Sequence, residues 1–255
     1  MKLAGGGLLD HLEELRRRIL VSVFAVLVAT VGCYVFADRI LEILLLPSGG
    51  LHLRAFNLMD GFMIKLRLAL YAGIVVAFPV WAWQAARFVG PGLRSEEKRH
   101  MAPFLVASLV LFAGGTVFGY SLLAAMIRVL VGLFPSRIEY LPSAPDYLSF
   151  VTFFLLACGV AFQLPCVLVL LVSLRVIHSQ ALHRQRKVAW FILFAFAEII
   201  TPVSDPIVAP LVVMAPLLIL YEASVFIAGR VEARRDEQAR VCAGFRNGPE
   251  ATAKP

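Results

Sequence analysis

Two short segments carry carboxylates next to arginines, a pattern that could serve recognition of a cationic ligand. Residues 11–18 read HLEELRRR and residues 94–99 read RSEEKR. Two carboxylates can hold two guanidinium groups through bidentate hydrogen bonds, whereas the basic residues nearby would repel such a ligand. If Glu14 and Glu97 converge, we therefore expect a clamp for two guanidinium groups.

Each segment also has a purely structural explanation. On a helix, Glu14 lies four residues before Arg18 in the favoured order, so the first segment can be a charged helix stabilised by its own ion pairs. In the second segment, Gly-Pro-Gly breaks the chain and Ser95 can cap a new helix, whose dipole Glu96 and Glu97 would complement. The residues alone leave both explanations open.

Polar side chains inside apolar stretches form a second group of candidates. Gln163, Glu198 and Glu222 are costly in lipid, so they are expected to face the protein interior or a water-filled recess. Gln163 can make one interhelical hydrogen bond or serve a functional recess. Asp205, in the tight turn TPVSDP, is either functional or only shapes the turn. The roles of Glu198 and Glu222 stay open.

The usual catalytic patterns are missing from the sequence. Its five histidines include none in the middle of an apolar stretch, and it has no HExxH, GxSxG, Walker A or GxGxxG sequence. Its four cysteines show no CxxC spacing, which argues against a metal site or a redox pair. We therefore predict a protein that is not an enzyme and that needs neither a metal nor a cofactor.

The elements that must position these residues are membrane helices. The chain of 255 residues is 60% hydrophobic and 16% charged, and its net charge of +7 comes from basic residues that flank apolar runs, which indicates a bilayer rather than nucleic acid. We predict an all-α polytopic membrane protein with six transmembrane helices. The apolar stretches are Leu20–Phe36, Leu66–Phe88, Phe104–Leu123, Leu148–Leu174, Val188–Thr201 and Ile207–Ala228.

The six stretches are unequal. A crossing needs about 20 residues, so the fifth is short, and the sixth is interrupted by Pro210 and Pro216. Five spans with a broken hairpin are the alternative to two short spans in a locally thinned bilayer. Prolines such as Pro79 and Pro165 favour kinks, and kinked helices tend to enclose a concave, glove-like surface.

The distribution of basic residues predicts the orientation. With six spans and the N-terminus inside, 18 of the 24 Lys and Arg residues are cytoplasmic, so both termini are expected in the cytoplasm. We predict that residues 1–229 form one transmembrane domain. The polar tail, residues 230–255, is expected to be a short helix that frays into disorder.

Four pieces of the sequence, in this order, resemble the TatC family, the receptor subunits of the twin-arginine protein translocase. They are HLEELRRRI at 11–19, FPVWAWQAARFVGPGL at 78–93, YLSFVTFFLLACGVAFQLP at 147–165, and TPVSDP at 201–206 followed by APLLILYE at 215–222. The resemblance spans roughly residues 9–229. It implies a glove-shaped six-helix protein of the bacterial inner membrane that recognises twin-arginine signal peptides of folded cargo.

The resemblance also implies partners and residue roles. The expected partners are the single-span subunits TatA and TatB and further copies of the chain, with transport driven by the proton motive force and without nucleic acid. By motif position, Glu14 and Glu97 bind the paired arginines, and Leu15 and Arg16 shape the same patch. Gln163 and Asp205 match the family's polar fourth-span position and its outer-turn acid.

Two departures from the family pattern limit the transfer of roles. Residues 92–94 read Gly-Leu-Arg where the family often has an aromatic residue after the leucine, and Gln163 cannot ionise where the family often has Glu. The alternative function is a small-solute or ion secondary transporter that uses Glu198 and Glu222. The sequence shows no internal repeat of the kind that such transporters have.

Overall fold

The computed structural model describes residues 6–49, 53–90, 101–132, 141–174, 176–177, 179–200 and 208–246. Glu97 and Asp205 therefore lie outside the described residues. Within these ranges the regular structure is helical, apart from a single bridge between Arg54 and Ser143. The helices are α1 (Gly6–Val35), α2 (Ala37–Leu45), a 3-10 turn (Leu46–Ser48), α3 (Asp60–Val76), α4 (Phe78–Val89), α5 (Met101–Gly132), α6 (Ala144–Ala161), α7 (Leu164–Ser173), α8 (Ser179–Arg184), α9 (Arg186–Ile200) and α10 (Val208–Arg246).

The long apolar helices match the predicted membrane architecture. Four candidate spans lie in α1, α5, the α6–α7 pair and α10, and the bent α3–α4 pair provides a fifth. Helix α9 has 15 residues and is about 22 Å long, shorter than a hydrocarbon core of about 30 Å. The all-α polytopic fold is confirmed, whereas the count of six spans and the orientation stay predictions.

Two of the predicted proline kinks coincide with helix breaks. The chain bends by 47° between α3 and α4, with Pro79 in the first turn of α4. A second break at Phe162 and Gln163 separates α6 from α7, with Pro165 in the first turn of α7. Proline has no N–H group for the helix ladder and its ring clashes with the preceding turn, so it is tolerated where a new helix begins.

Helices α5 and α6 pack closely through glycines. A Cβ atom placed on Gly115 would lie 2.7 Å from the carbonyl oxygen of Cys158, and one placed on Gly119 would lie 3.0 Å from the Cβ of Cys158. A Cβ on Gly159 would lie 2.9 Å from the ring of Phe112. Small residues four apart on one helix face allow two backbones to approach in a membrane, where apolar burial drives association only weakly.

The helices differ in how much of their apolar surface is buried. Leu123, Val151, Phe154 and Leu217 are fully buried members of one hydrophobic core, to which α5, α6 and α10 contribute. Helix α1 packs on α3 and α4, and none of its most apolar window is buried. In a bilayer this exposed apolar surface would contact lipid, which agrees with the membrane assignment.

The last helix extends beyond the predicted transmembrane domain. Helix α10 continues to Arg246, so the predicted boundary between residues 229 and 230 falls inside a helix. Pro216 is accommodated within this helix. The disorder predicted for the tail stays a prediction, since residues 247–255 lie outside the described residues.

Candidate functional site

Glu14 lies on α1 about two turns from its described start and forms the predicted i,i+4 ion pair with Arg18. The Nε of Arg18 donates to Glu14 Oε1 over 3.1 Å, and Nη2 of the same guanidinium donates to the same oxygen. The side chains of Glu14 and Arg18 are 36% and 19% exposed, so the pair is partly accessible. Because both bonds use Oε1, Oε2 of Glu14 takes part in neither of them.

An aromatic contact joins the beginning of α1 to the end of α4. The ring of His11 stacks on the ring of Phe88 with 4.5 Å between centroids and 23° between planes. His11 lies three residues before Glu14 and therefore on the same side of α1. The contact holds the carboxylate end of α1 beside the point where α4 leads into residues 91–100.

The two anchors of residues 91–100 lie next to each other. Gly90 is buried, and a Cβ placed on it would be 3.6 Å from the sulfur of Met101. Glu97 precedes Met101 by four residues, and four extended residues reach at most about 14 Å. Gly90 and Met101 thus mark the end of the bundle at which α4 ends, α5 begins and His11 stacks on Phe88, and Glu97 itself lies outside the described residues.

We call His11, Glu14, Arg18, Phe88 and Gly90 the α1–α4 patch. The two other residues predicted to shape it lie on the same stretch of α1, where Leu15 is half-buried and Arg16 is exposed. Beside the patch, the guanidinium of Arg87 lies 5.9 Å from the centroid of the Trp83 ring. The surroundings are thus strongly basic, and the carboxylate of Glu14 could offset the repulsion of a further cation.

Gln163 lies at the break between α6 and α7 and hydrogen-bonds to α5. Its Oε1 accepts a hydrogen bond of 2.6 Å from the hydroxyl of Ser108, and its Nε2 donates over 3.1 Å to the carbonyl oxygen of Ser108. Both ends of the amide are therefore engaged with one residue of a neighbouring helix. The geometry includes the interhelical hydrogen bond, one of the two roles that the sequence left open for Gln163.

The other two intramembrane acids are far apart. Glu222 pairs with Arg186 at the beginning of α9, with 3.1 Å between Oε2 and Nη2. Glu198 lies 12 residues after Arg186 on the same helix, which corresponds to about 18 Å. Its Oε2 is buried and has no hydrogen-bond partner among the described residues. The two carboxylates therefore do not form one ion site of the kind that the transporter alternative uses.

The sequence did not identify two of the contacts that organise these sites. Ser108 is the partner of Gln163 although 55 residues separate them, and the only local signal was a hydroxyl inside an apolar stretch. His11 and Phe88 are separated by an even longer stretch of chain. Neither pairing could be inferred without knowledge of which helices are neighbours.

Comparisons with known proteins agree on one family. The family model described as "Sec-independent protein translocase protein (TatC)" matches residues 10–216. The TatC protein of Carboxydothermus hydrogenoformans is 35% identical over 224 residues, covering 87% of this chain and 92% of that protein. The TatC protein of Aquifex aeolicus is 34% identical over 239 residues, covering 91% and 98%.

Solved structures give the same result. A crystal structure described as the twin arginine translocase receptor TatC aligns with a TM-score of 0.73 at 35% identity, covering 88% of this chain and 99% of that one. A second one, obtained in the detergent DDM, aligns with a TM-score of 0.75 at 34% identity, covering 86% and 99%. At this identity and coverage the similarity extends over nearly the whole described bundle.

Proposed function

Because the chain belongs to the TatC family of Sec-independent protein translocase subunits, we propose that it is the subunit that binds twin-arginine signal peptides. It receives the signal peptides of folded proteins for export driven by the proton motive force. Glu14 and Glu97 accept the two arginines, and Leu15 and Arg16 shape the surface around them.

The stacking of His11 on Phe88 is the observation that carries this proposal. It docks the part of α1 that bears Glu14 against the end of α4, from which the chain continues directly towards Glu97. The close approach of Gly90 to Met101 keeps the other end of that segment at the same place. We propose that Glu97 lies at this same end of the bundle, where it completes the clamp with Glu14.

The chemistry at Glu14 suits a ligand arginine. Glu14 already binds one guanidinium, that of Arg18, and its Oε2 remains for another donor. Bonds between guanidinium and carboxylate are about twice as strong as neutral hydrogen bonds and have a fixed fork geometry, which favours arginine over lysine. A pair of such sites would require two arginines at a defined spacing.

The apolar part of a signal peptide would bind along the membrane-embedded face of the protein. Gln163 and Ser108 provide a polar point there within otherwise apolar helices. Since the amide of Gln163 is satisfied by Ser108, we propose that it holds the α5–α6 hairpin in shape rather than carrying a charge. Asp205, which precedes α10 in the sequence, is proposed as a further functional position.

The remaining family properties are part of the same proposal. The chain would lie in the bacterial inner membrane with both termini in the cytoplasm, in agreement with its basic flanks. TatA and TatB type subunits and further copies of this chain would bind to exposed apolar helix faces. Such faces are present on α1, where Phe24 and Val31 are largely exposed.

Binding of a labelled signal peptide to the full chain in lipid nanodiscs tests the assignment of the clamp. Charge-assisted hydrogen bonds contribute about 1.5–3 kcal/mol, so Glu14→Gln and Glu97→Gln should each weaken binding about 10- to 150-fold. Glu13→Gln is the matched control, because Glu13 is exposed on the same turn of α1. It should change the affinity less than twofold.

A peptide with two lysines in place of the two arginines supplies the second control. Loss of either clamp carboxylate should abolish the preference for arginine. Glu14→Gln and Glu97→Gln should therefore each bind the arginine peptide and the lysine peptide with similar affinity. Unchanged arginine-peptide affinity in both Glu14→Gln and Glu97→Gln would refute the clamp.

A further inference from the structure

The described part of the chain contains a cleft at the end of the bundle where α8 and α9 meet α10. It has a volume of about 390 Å³ and is lined by His183, Arg186, Glu222, Val225, Phe226 and Arg230, among others. We call it the α8–α10 cleft. This volume lies within the range of about 300–1,000 Å³ that is usual for ligand sites.

The cleft is built on a fixed corner of the fold. The hydroxyl of Tyr221 on α10 donates a 3.0 Å hydrogen bond to the carbonyl oxygen of Leu182 on α8, and both residues are buried. Arg186 follows at the first position of α9 and pairs with Glu222 on α10. The positions of the charged side chains are thus determined by three helices.

The charges in the cleft favour an anion. Two guanidinium groups, those of Arg186 and Arg230, face a single carboxylate, that of Glu222. Arg186 also contacts Nδ1 of His183 over 2.9 Å, and the guanidinium of Arg230 lies 4.1 Å above the ring of Phe226. With neutral histidine, the described residues that line the cleft carry a net charge of +1.

The hydrogen bonding within the cleft is incomplete. Among the described residues, neither Nε of Arg186 nor Oε1 of Glu222 has a hydrogen-bond partner, although both atoms are buried. Buried polar atoms without partners are unusual in folded proteins and call for an explanation such as a missing ligand or water. Both atoms belong to side chains that line the cleft.

The position of the cleft indicates a lipid. It extends along the second half of the apolar segment Pro210–Ala233, which is long enough to cross a membrane, and reaches the end of that segment at Ala233, the level of the lipid headgroups. Its wall includes Phe226, which is 58% exposed, and Ile219 on the same helix is 71% exposed. A cationic cleft next to an exposed apolar helix face complements a phosphate group attached to acyl chains.

We propose that the α8–α10 cleft binds the phosphate of an anionic phospholipid. Arg186 and Arg230 donate to the phosphate oxygens, Glu222 orients Arg186, and the acyl chains lie along the exposed face of α10 beside Phe226. With the predicted orientation, the lipid belongs to the cytoplasmic leaflet. The site is independent of the clamp at α1.

The test is native mass spectrometry of the purified full chain titrated with phosphatidylglycerol and, separately, with phosphatidylcholine. A basic residue near an anionic lipid contributes about fivefold in affinity. We expect Arg230→Gln to weaken phosphatidylglycerol binding about fivefold or more and to leave phosphatidylcholine binding unchanged. Lys187→Gln is the matched control, since Lys187 is exposed on α9 beside Arg186 and does not line the cleft.

A double variant separates a specific site from general charge. Arg186→Gln combined with Glu222→Gln removes both charges of the ion pair, so the net charge of the protein stays the same. We expect it to weaken phosphatidylglycerol binding by at least as much as Arg230→Gln. Thermal unfolding of all variants checks that the fold is retained. Lipid binding by the unaltered chain is the reference.

Three results would overturn the proposal. Equal affinity for the two lipids would exclude recognition of the negative headgroup, and equal losses in Arg230→Gln and Lys187→Gln would indicate diffuse surface charge. Unchanged lipid binding in Arg230→Gln together with weaker co-purification of a single-span partner would assign the cleft to a protein carboxylate. Displacement of the lipid by millimolar inorganic phosphate would identify a site for free phosphate instead.

Discussion

Replacing Gly115 by alanine should push α5 away from α6, because no space exists for a methyl group at that position. A Cβ on Gly115 would lie 2.7 Å from the carbonyl oxygen of Cys158 and 2.7 Å from the ring of Phe162. Ordinary contacts of a Cβ begin at about 3.4 Å, so the helices must separate locally by about 0.7 Å. The methyl group would clash with the backbone at Cys158 and with the ring of Phe162, and neither group can move without shifting a helix.

The expected cost follows from overpacking. Forcing additional atoms into a close-packed contact typically costs about 1–3 kcal/mol. For a chain of this size each kcal/mol corresponds to about 2–4 °C in Tm, so the clash should lower the Tm by about 2–12 °C. A shift of the α5–α6 hairpin would also lengthen the hydrogen bonds between Ser108 and Gln163.

Gly114→Ala provides the control for Gly115→Ala. A Cβ at Gly114 has no neighbouring atom within 4 Å, and both glycines lie in the interior of α5. Alanine is favoured over glycine in a helix by about 1 kcal/mol, and both variants receive this gain. The difference in Tm between the two variants therefore isolates the clash.

The measurement is thermal unfolding of the two variants in the same detergent at the same scan rate, because unfolding of such proteins is often irreversible. We expect Gly115→Ala to unfold at the lower temperature and Gly114→Ala at or above the temperature of the unaltered chain. Equal unfolding temperatures for the two alanine variants would refute the close packing of α5 on α6 at this point.

Two further predictions concern hydrogen bonds of the candidate sites. Arg18→Gln should tighten binding of a twin-arginine peptide about twofold, because Arg18 competes for Glu14 and an i,i+4 pair is worth about 0.3–0.5 kcal/mol. Weaker binding in the same nanodisc assay would contradict this. Ser108→Ala should lower the Tm by about 1–7 °C, since Oε1 of Gln163 loses its donor. Such hydrogen bonds in membranes are worth about 0.6 kcal/mol on average and up to about 1.7 kcal/mol. The control is Ser121→Ala, whose exposed hydroxyl bonds within its own helix, and an equal loss in both variants would contradict the role of Ser108.

Features that depend on residues close to each other in the sequence were predictable from the sequence. Apolar runs of about 20 residues indicate membrane helices because the thickness of the hydrocarbon core sets their length. The breaks near Pro79 and Pro165 follow from the missing N–H group, and the pair of Glu14 and Arg18 follows from helical spacing. The loop motifs also indicated the family, which the comparisons confirm. The roles of Glu97 and Asp205 stay predictions.

Only the tertiary structure determined which distant residues meet. Periodicity indicates which residues share a helix face, but it does not identify the helix that packs on that face. The pairing of His11 with Phe88, of Gln163 with Ser108 and of Arg186 with Glu222 therefore could not be predicted. In lipid, helices associate through complementary packing and a few polar contacts rather than through burial of an apolar stripe. The apolar pattern therefore carries little information about which helices pack together. The sequence itself determined the helices and the charged motifs, whereas the packing of the helices brought Glu14 to the end of α4 and formed the α8–α10 cleft.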